Sequence, residues 1–543
     1  MFHYAQERFG DHEAEILRRY VTNLDGPVFA LVNLPEVVKG ALFARYSRSS
    51  KSLRRLFLDE FVGDLDVSGD AGVDATVGLR RAEDLYERVF LEYGDDSVAQ
   101  LGGVHLACEQ ASNVFTKILE RSRLMSYLEQ STRYVPYDSR LVTGHYRYYR
   151  DQEVLDSPLG ARFVGEMDRM FDTYAELLPE VQAWLTRRHA RGQGTSDFAY
   201  RQSIRAKALD LLRGLLPAGS LSNVGIYGSG QSYELLLMRL ADHPLPEARD
   251  YGRMMLGELR KVIPSFLQRV DRADRGVAWS RYRSATRQAT EDLVASLWPA
   301  DGRPEPAGRS SVALTDFDPA GEEKVVAAAI FETGTCSDAE SLERARSLSA
   351  EDKAALLRAY VGDRANRRHR PGRALERSSY RFEVVSDYGA FRDLQRHRMM
   401  TIEWQGLSPS LGFDVPAEVV EAGMEGRFTT SLERSAELYG AMRPVFPRQA
   451  PYAVALAYRV RYTMQMNARE AMHVIELRSG EQGHPSYRWV AQQMHRLISE
   501  VAGHRLIADA MKFTDHEDYG LGRLEAEVRS DARRAVPEER GAF

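Results

Sequence analysis

Three landmarks occur twice in this chain, in the same order. The first is an Arg-x-Arg, at Arg121/Arg123 and again at Arg396/Arg398. The second is Arg followed by three residues and a Pro, at Arg213-Gly-Leu-Leu-Pro217 and at Arg443-Pro-Val-Phe-Pro447. The third is an apolar helical stretch ending in Arg and followed by His-Pro: Arg239 with His243-Pro244, and Arg478 with His484-Pro485. One such match is noise. Three in register predict a duplicated architecture, with two related domains in one chain.

A chain of 543 residues exceeds one hydrophobic core and leaves room for two. The best boundary is residues 298–323, opening on Trp298-Pro-Ala-Asp-Gly-Arg-Pro-Glu-Pro, where Pro, Gly and Ser accumulate. This predicts a first half at 1–297, a linker at 298–323 and a second half at 324–543. Helical periodicity covers Ala82–Tyr93, Gly165–Arg187, Ser203–Leu216, Ser232–Leu240 and Leu245–Val270. It returns at Ala350–Tyr360, Thr430–Met442 and Asn467–Leu477. Strand signals are shorter: Asn223–Tyr227, Arg381–Val385 and the partly alternating Tyr452–Tyr462. The mixture reads as α/β or α+β with helices in excess.

The net charge of -5 argues against a nucleic-acid polymer as partner. No run of 18 apolar residues predicts a membrane span, and the opening Met-Phe-His-Tyr-Ala-Gln-Glu-Arg lacks the pattern of a secretory leader. Two cysteines, Cys108 and Cys336, form neither a disulfide framework nor a metal cage. A cytoplasmic protein is expected. His473-x-x-Glu476 with His484 and His495 matches no standard metal spacing, so no metal is expected. The basic run Arg364–Arg373 is either a solvated loop or a phosphate site.

In the first half, Glu129, Ser131 and Arg133 alternate. In an extended segment their side chains would point to one side, giving a carboxylate, a hydroxyl and a bidentate guanidinium suited to a nucleoside monophosphate. The alternative is an exposed polar turn. Arg213, at a helix end, is either a cation favoured by the helix dipole or a second phosphate ligand. In the second half, Asn467 and Arg478 stand eleven residues apart. On a helix they fall within roughly 20° of one face and about 16 Å apart along the axis. Arg469 and His473 share an adjacent face. Asn467 could be a simple cap. Arg478 needs an anionic partner: Glu476, Glu481 or a ligand.

The stretch Arg121-Ser-Arg-Leu-Met-Ser126-Tyr-Leu-Glu129-Gln-Ser131-Thr-Arg133-Tyr134 resembles the signature of flavin-dependent thymidylate synthases, and Arg396-His397-Arg398 resembles its opening. The resemblance covers roughly residues 85–260 and 360–500. It implies an α+β fold: two synthase-like α/β domains in tandem, helix-rich, with a central mixed or antiparallel sheet in each. It also implies FAD as hydride carrier, with NADPH and methylenetetrahydrofolate as co-substrates, for C5 methylation of dUMP. The family is homotetrameric, so a homodimer of this chain would imitate it.

Residue by residue, the resemblance implies Glu129, Ser131, Arg133, Arg213 and Arg396 for the nucleotide. It implies Arg396, His397, Arg398, Asn467, Arg469, His473, His484 and Glu376 for the flavin. It implies Arg478 as the arginine that polarises the pyrimidine. The halves depart from the signature in complementary ways. The first has Ser122 for His and Leu128 for Asn, and Gly228-Ser-Gly230 near the place of Asn-x-Arg. The second has Thr401, Trp404, Gly406 and Ser408 in place of Ser, Glu, Ser and Arg. The first half thus keeps the nucleotide clamp and the second the flavin side, so one working site would draw on both. The alternatives are C5 modification of another uridylate, or a nucleotide- or flavin-binding protein without turnover.

Overall fold

The computed structural model describes residues 4–34, 39, 42–43, 46, 49–60, 103–192, 195–298 and 309–519. The helix expected at 82–93 lies outside them. The chain forms two compact units, neither continuous in sequence. Unit 1 holds Met1–Ala175, Leu216–Glu305 and Arg434–Val454. Unit 2 holds Glu176–Leu215, Pro306–Glu433 and Ala455–Phe543. Each unit therefore contains a segment from the opposite half of the sequence.

Unit 1 is built on β1 (Val28–Leu31), β2 (Gly103–Ser112), β3 (Met125–Glu129) and β4 (Leu221–Ser229), all antiparallel, in the order β1-β2-β4-β3. Helix α1 (Asn113–Leu119) follows β2, α2 (Gly230–Ala241) follows β4, and α3 (Pro246–Leu259) comes next. Side chains of β2 alternate between two cores. Leu106 and Cys108 face Val224, Ile226, Tyr233 and Tyr251, while Ala107 joins Phe29, Leu17 and Phe57. A bulge between Cys108 and Ala111 interrupts the β2–β4 register, and Gln110 within it has φ 56.

Unit 2 repeats the plan. Its strands are β5 (Ser311–Phe317), β6 (Ser379–Asp387), β7 (Thr401–Trp404) and β8 (Arg459–Asn467), again antiparallel, in the order β5-β6-β8-β7. Helix α4 (Tyr388–Leu394) follows β6, α5 (Ala468–Arg478) follows β8, and α6 (Pro485–Glu500) comes next. The junctions match as well as the order. In each unit the last residue of the second and fourth strands caps the helix that follows. Ser112 accepts from Phe115 N and Asp387 from Ala390 N; Ser229 accepts from Ser232 N and Asn467 from Glu470 N. Such caps fix the angle at which helix leaves strand, and that angle aims the arginines at the far ends of α2 and α5.

Several expectations shift. The stretch 245–270 is not one helix: α3 stops at Leu259 and a 3-10 turn starts at Pro264, whose ring cannot continue a helix. The strand expected from Tyr452 starts at Arg459, because Ala450–Ala453 winds into a 3-10 turn around Pro451. The helix read as Ser203–Leu216 ends at Leu212, with Arg213–Leu215 as a 3-10 turn. Ser311–Phe317, inside the expected linker, is an edge strand of the second sheet.

Candidate functional site

The site in unit 2 is organised by α5. Asn467 is its cap, with Oδ1 2.9 Å from Glu470 N. Arg469 donates through Nε to Pro371 O at 3.0 Å and through Nη1 to Glu376 at 3.3 Å. Glu376 also accepts from Arg373, and the two guanidiniums, Arg373 first, hold its carboxyl below the ordinary range. One turn on, His473 Nδ1 lies 3.1 Å from Arg370 Nη2. Arg370 brings part of the basic run Arg364–Arg373 to this helix directly and Arg373 does so through Glu376; Arg364 reaches the same helix as a buried bidentate pair with Glu476 at 2.6 and 2.7 Å.

At the C-terminal end, Arg478 Nε donates to His397 Nε2 at 2.8 Å. An arginine Nε only donates, so this imidazole nitrogen accepts and the ring is neutral. Burial, seconded by Arg478, pushes the His397 pKa well below its ordinary value. The other face of the ring looks toward Glu470, with Nδ1 3.7 Å from Oε1. The His473 ring lies 5.4 Å away, edge-on, and burial lowers its pKa to about 4. Arg478 also lies over the Tyr487 ring at 5.4 Å. Burial lowers its pKa, and the charge of Asp393 opposes that.

Asp393 links Arg478 to Arg213. Arg213 Nη1 donates to Asp393 at 3.1 Å, and Nη2 lies 4.0 Å from Asp387. Its guanidinium is buried, and Nε and Nη2 have no hydrogen-bond partner. It can lie against α4 because position 389 is glycine: a Cβ there would sit 3.0 Å from Arg213 Nε. Burial raises the Asp387 carboxyl against the pull of Arg213. A cavity of about 660 Å³ is bordered by Lys207, Arg213, Asp387, His484 and Trp489. His484 caps α6 by accepting from Ser486 N, and its Nε2 meets Asp210 O at 3.2 Å.

Unit 2 thus brings together Arg213 from the first half of the sequence with His397, His473, His484 and Arg478 from the second, and Arg396 is near enough to Arg478 for its charge to act on it. Asn467, Arg469 and Glu376 gather at the opposite end of α5, and Arg398 is half-buried. Sequence reading missed Asp393, Glu470 and Tyr487. The spacing of Glu470 and His473, three apart on one helix face, was the available signal. Of the anionic partners considered for Arg478 (Glu476, Glu481 or a ligand), Glu476 is taken by Arg364.

In unit 1 the clamp segment differs from the expected extended strand. β3 ends at Glu129, and the chain then turns, with Tyr134 N and Val135 N both donating to Ser131 O. Ser131 Oγ accepts from Arg133 N at 3.2 Å. The Glu129 carboxylate points inward to Lys117 Nζ at 3.1 Å, and Lys117 also binds Glu120. The alternation therefore fails to bring the three side chains to one side: Glu129 is an interior ion-pair member and Arg133 is half-buried. Arg239 repeats the Arg478 gesture, bonding the middle residue of its own Arg-x-Arg, but that residue is Ser122. Arg443, the sequence counterpart of Arg213, is exposed.

The duplicated sheet, the strand-to-helix caps and the paired Arg-x-Arg define a duplicated, helix-rich α+β protein. The family model described as "Thymidylate synthase complementing protein" matches residues 42–265 and 313–503, and the chain belongs to that family as two copies in tandem. It is 40% identical to a UPF0159 protein of Chlamydia muridarum over 96% of this chain and 99% of the relative. A UPF0159 protein of Chlamydia pneumoniae is 40% identical over 97% and 99%. One from Thermoplasma acidophilum is 32% identical over 91% and 99%. Among the described residues no helix is long and apolar enough to cross a membrane.

Proposed function

We propose that the chain is a flavin-dependent thymidylate synthase-like enzyme that methylates dUMP at C5, with its working chemistry in unit 2. The observation that carries this reading is the bond from Arg478 to a neutral His397, where unit 1 has Arg239 on Ser122. A buried guanidinium whose Nε is engaged keeps its terminal nitrogens oriented, which suits a donor that must polarise a pyrimidine carbonyl without reorganising. Arg213 supports the reading too. Its two buried nitrogens without partners fit an anionic or carbonyl oxygen, although Asp393 and Asp387 already balance part of its charge.

Arg396, His397, Arg398, Asn467, Arg469, His473, His484 and Glu376 are the residues proposed to hold FAD. The donor set fits an anionic dinucleotide: arginines at both ends of α5, an amide at its cap, and the imidazoles of His397 and His473, which burial keeps neutral. FAD, when bound, supplies the hydride carrier, with NADPH and methylenetetrahydrofolate as co-substrates. The protein's part is positioning: Arg478 is aimed by His397, His397 is faced by Glu470, and Arg469 is steadied by Glu376. The described residues of each chain hold two sheets, so a homodimer would imitate the family's tetramer.

Modification of another uridylate is favoured by one observation. Glu129 is committed to Lys117, so an acceptor for a ribose hydroxyl is withdrawn. The deciding experiment is rescue of a thymidine-requiring host, paired with dUMP-triggered oxidation of the reduced flavin in the presence of methylenetetrahydrofolate. Rescue and oxidation support the synthase. A yellow protein that oxidises only with a different uridylate supports the second reading. A colourless protein without rescue overturns both.

A further inference from the structure

His397, Glu470 and His473 form a cluster that the proposed chemistry does not use as a unit. One ligand atom from each lies within 4.8 Å of the other two. A triangle of that size puts its centre at most about 2.8 Å from each corner, whereas imidazole and carboxylate bind first-row ions at about 2.0–2.2 Å. Each ligand need move inward by roughly 0.6 Å, which side-chain rotation can supply. Two imidazoles and one carboxylate are the donor set that suits a divalent transition ion and leaves positions open. Burial keeps both rings neutral, the form that ligates. His473 is only half-buried, so an ion can enter past it.

We propose that His397, Glu470 and His473 bind a divalent transition-metal ion of the zinc or cobalt type, and that its binding and the Arg478–His397 bond exclude each other. The exclusion follows from the ring. His397 Nε2 accepts from Arg478 Nε, so the ring hydrogen is on Nδ1, the nitrogen that faces Glu470. A metal at Nδ1 requires the hydrogen on Nε2 instead. Nε2 then donates and cannot accept from Arg478. Guanidiniums border the cluster, Arg478 bonded to His397 and Arg370 to His473, with Arg469 and Arg367 acting at longer range, and all repel the incoming ion. The ion thus acts as a release for Arg478. This inference needs no assumption about the reaction catalysed.

The test is titration of the purified full-length protein with cobalt(II), read by visible absorption and calorimetry. One saturable site is expected. Glu470→Gln and His473→Ala should each weaken it by about tenfold or more. Arg478→Leu should tighten it by at least about threefold, since it frees the ring and removes a cation. Thermal melts of the two ligand variants confirm folding, and if His473→Ala does not fold, His473→Gln replaces it. The absence of saturable binding at millimolar cobalt overturns the proposal. So does binding that survives Glu470→Gln and falls instead with His495→Ala, which would place the ion at the surface pair His495–His516. Unchanged affinity in Arg478→Leu overturns the exclusion.

Discussion

Arg478 and His397 fix one another's state: the guanidinium Nε donates to imidazole Nε2 at 2.8 Å, leaving the ring neutral and the terminal guanidinium nitrogens directed. In unit 1 the same gesture ends on Ser122, a hydroxyl with no ring to hold a plane. Arg478→Ala should therefore lower turnover by about a hundredfold or more. Arg239→Ala should lower it less than about threefold. Single-turnover oxidation of the reduced flavin measures both, and equal losses would contradict the division between the units.

Arg133 is the nucleotide-side guanidinium of unit 1, half-buried just beyond the end of β3. Arg133→Ala should weaken dUMP binding by at least about tenfold, the value of a charge-assisted hydrogen bond or more. The flavin spectrum should stay unchanged. Equilibrium dialysis with dUMP checks the first outcome and absorbance the second. Loss of flavin together with dUMP would mean that the substitution had disturbed the fold.

Gly389 gives Arg213 its seat. A methyl group there would come within 2.9 Å of Asp387 Oδ1 and 3.1 Å of Arg213 Nη2. Gly389→Ala should cost about 1–3 kcal/mol in urea unfolding, the usual range for overpacking. It should also weaken nucleotide binding if Arg213 serves the substrate. An unchanged denaturation midpoint would show that the guanidinium can leave without loss.

The Arg364–Glu476 pair is almost fully buried and bidentate. Removing one partner leaves the other charge in the interior. Glu476→Ala should destabilise unit 2 by about 3–5 kcal/mol, read as a lowered Tm. Here the basic run near residue 364 acts through burial, because its first arginine is spent on structure and is withdrawn from phosphate.

Glu247 gives unit 1 a pH signature. Its carboxyl is enclosed by Ser112 and by Tyr452, whose hydroxyl is 2.7 Å away, and burial pushes its pKa from 4.5 to about 7. The folded state therefore holds a proton that the unfolded chain releases near 4.5. The resulting stability is full below that pH, falls as pH rises toward 7, and is level beyond. The whole span is about 3 kcal/mol. Glu247→Gln keeps the shape and removes the titration, so its unfolding free energy should vary less between pH 4.5 and 7 than that of the wild type. Parallel slopes would show that Glu247 is ionised throughout.

The sequence by itself determined the duplication and the local joints. Arg-x-Arg, the cap Asn467 and the helices read at 232–240 and 467–477 are set by neighbours a few residues away, and short-range hydrogen bonding and periodicity suffice to write them; the caps Ser112, Asp387 and Ser229 and the short helices after Ser112 and Asp387 emerged only in the structure. Tertiary structure decided what those joints meet. It placed 176–215 in unit 2 and 434–454 in unit 1, so that Arg213 faces Asp393 while Arg443 stays exposed. It turned Glu129 inward to Lys117 and set Glu470 beside His397, seventy-three residues earlier in the chain. These outcomes depend on which apolar faces bury one another over long separations, and local pattern carries no record of that choice.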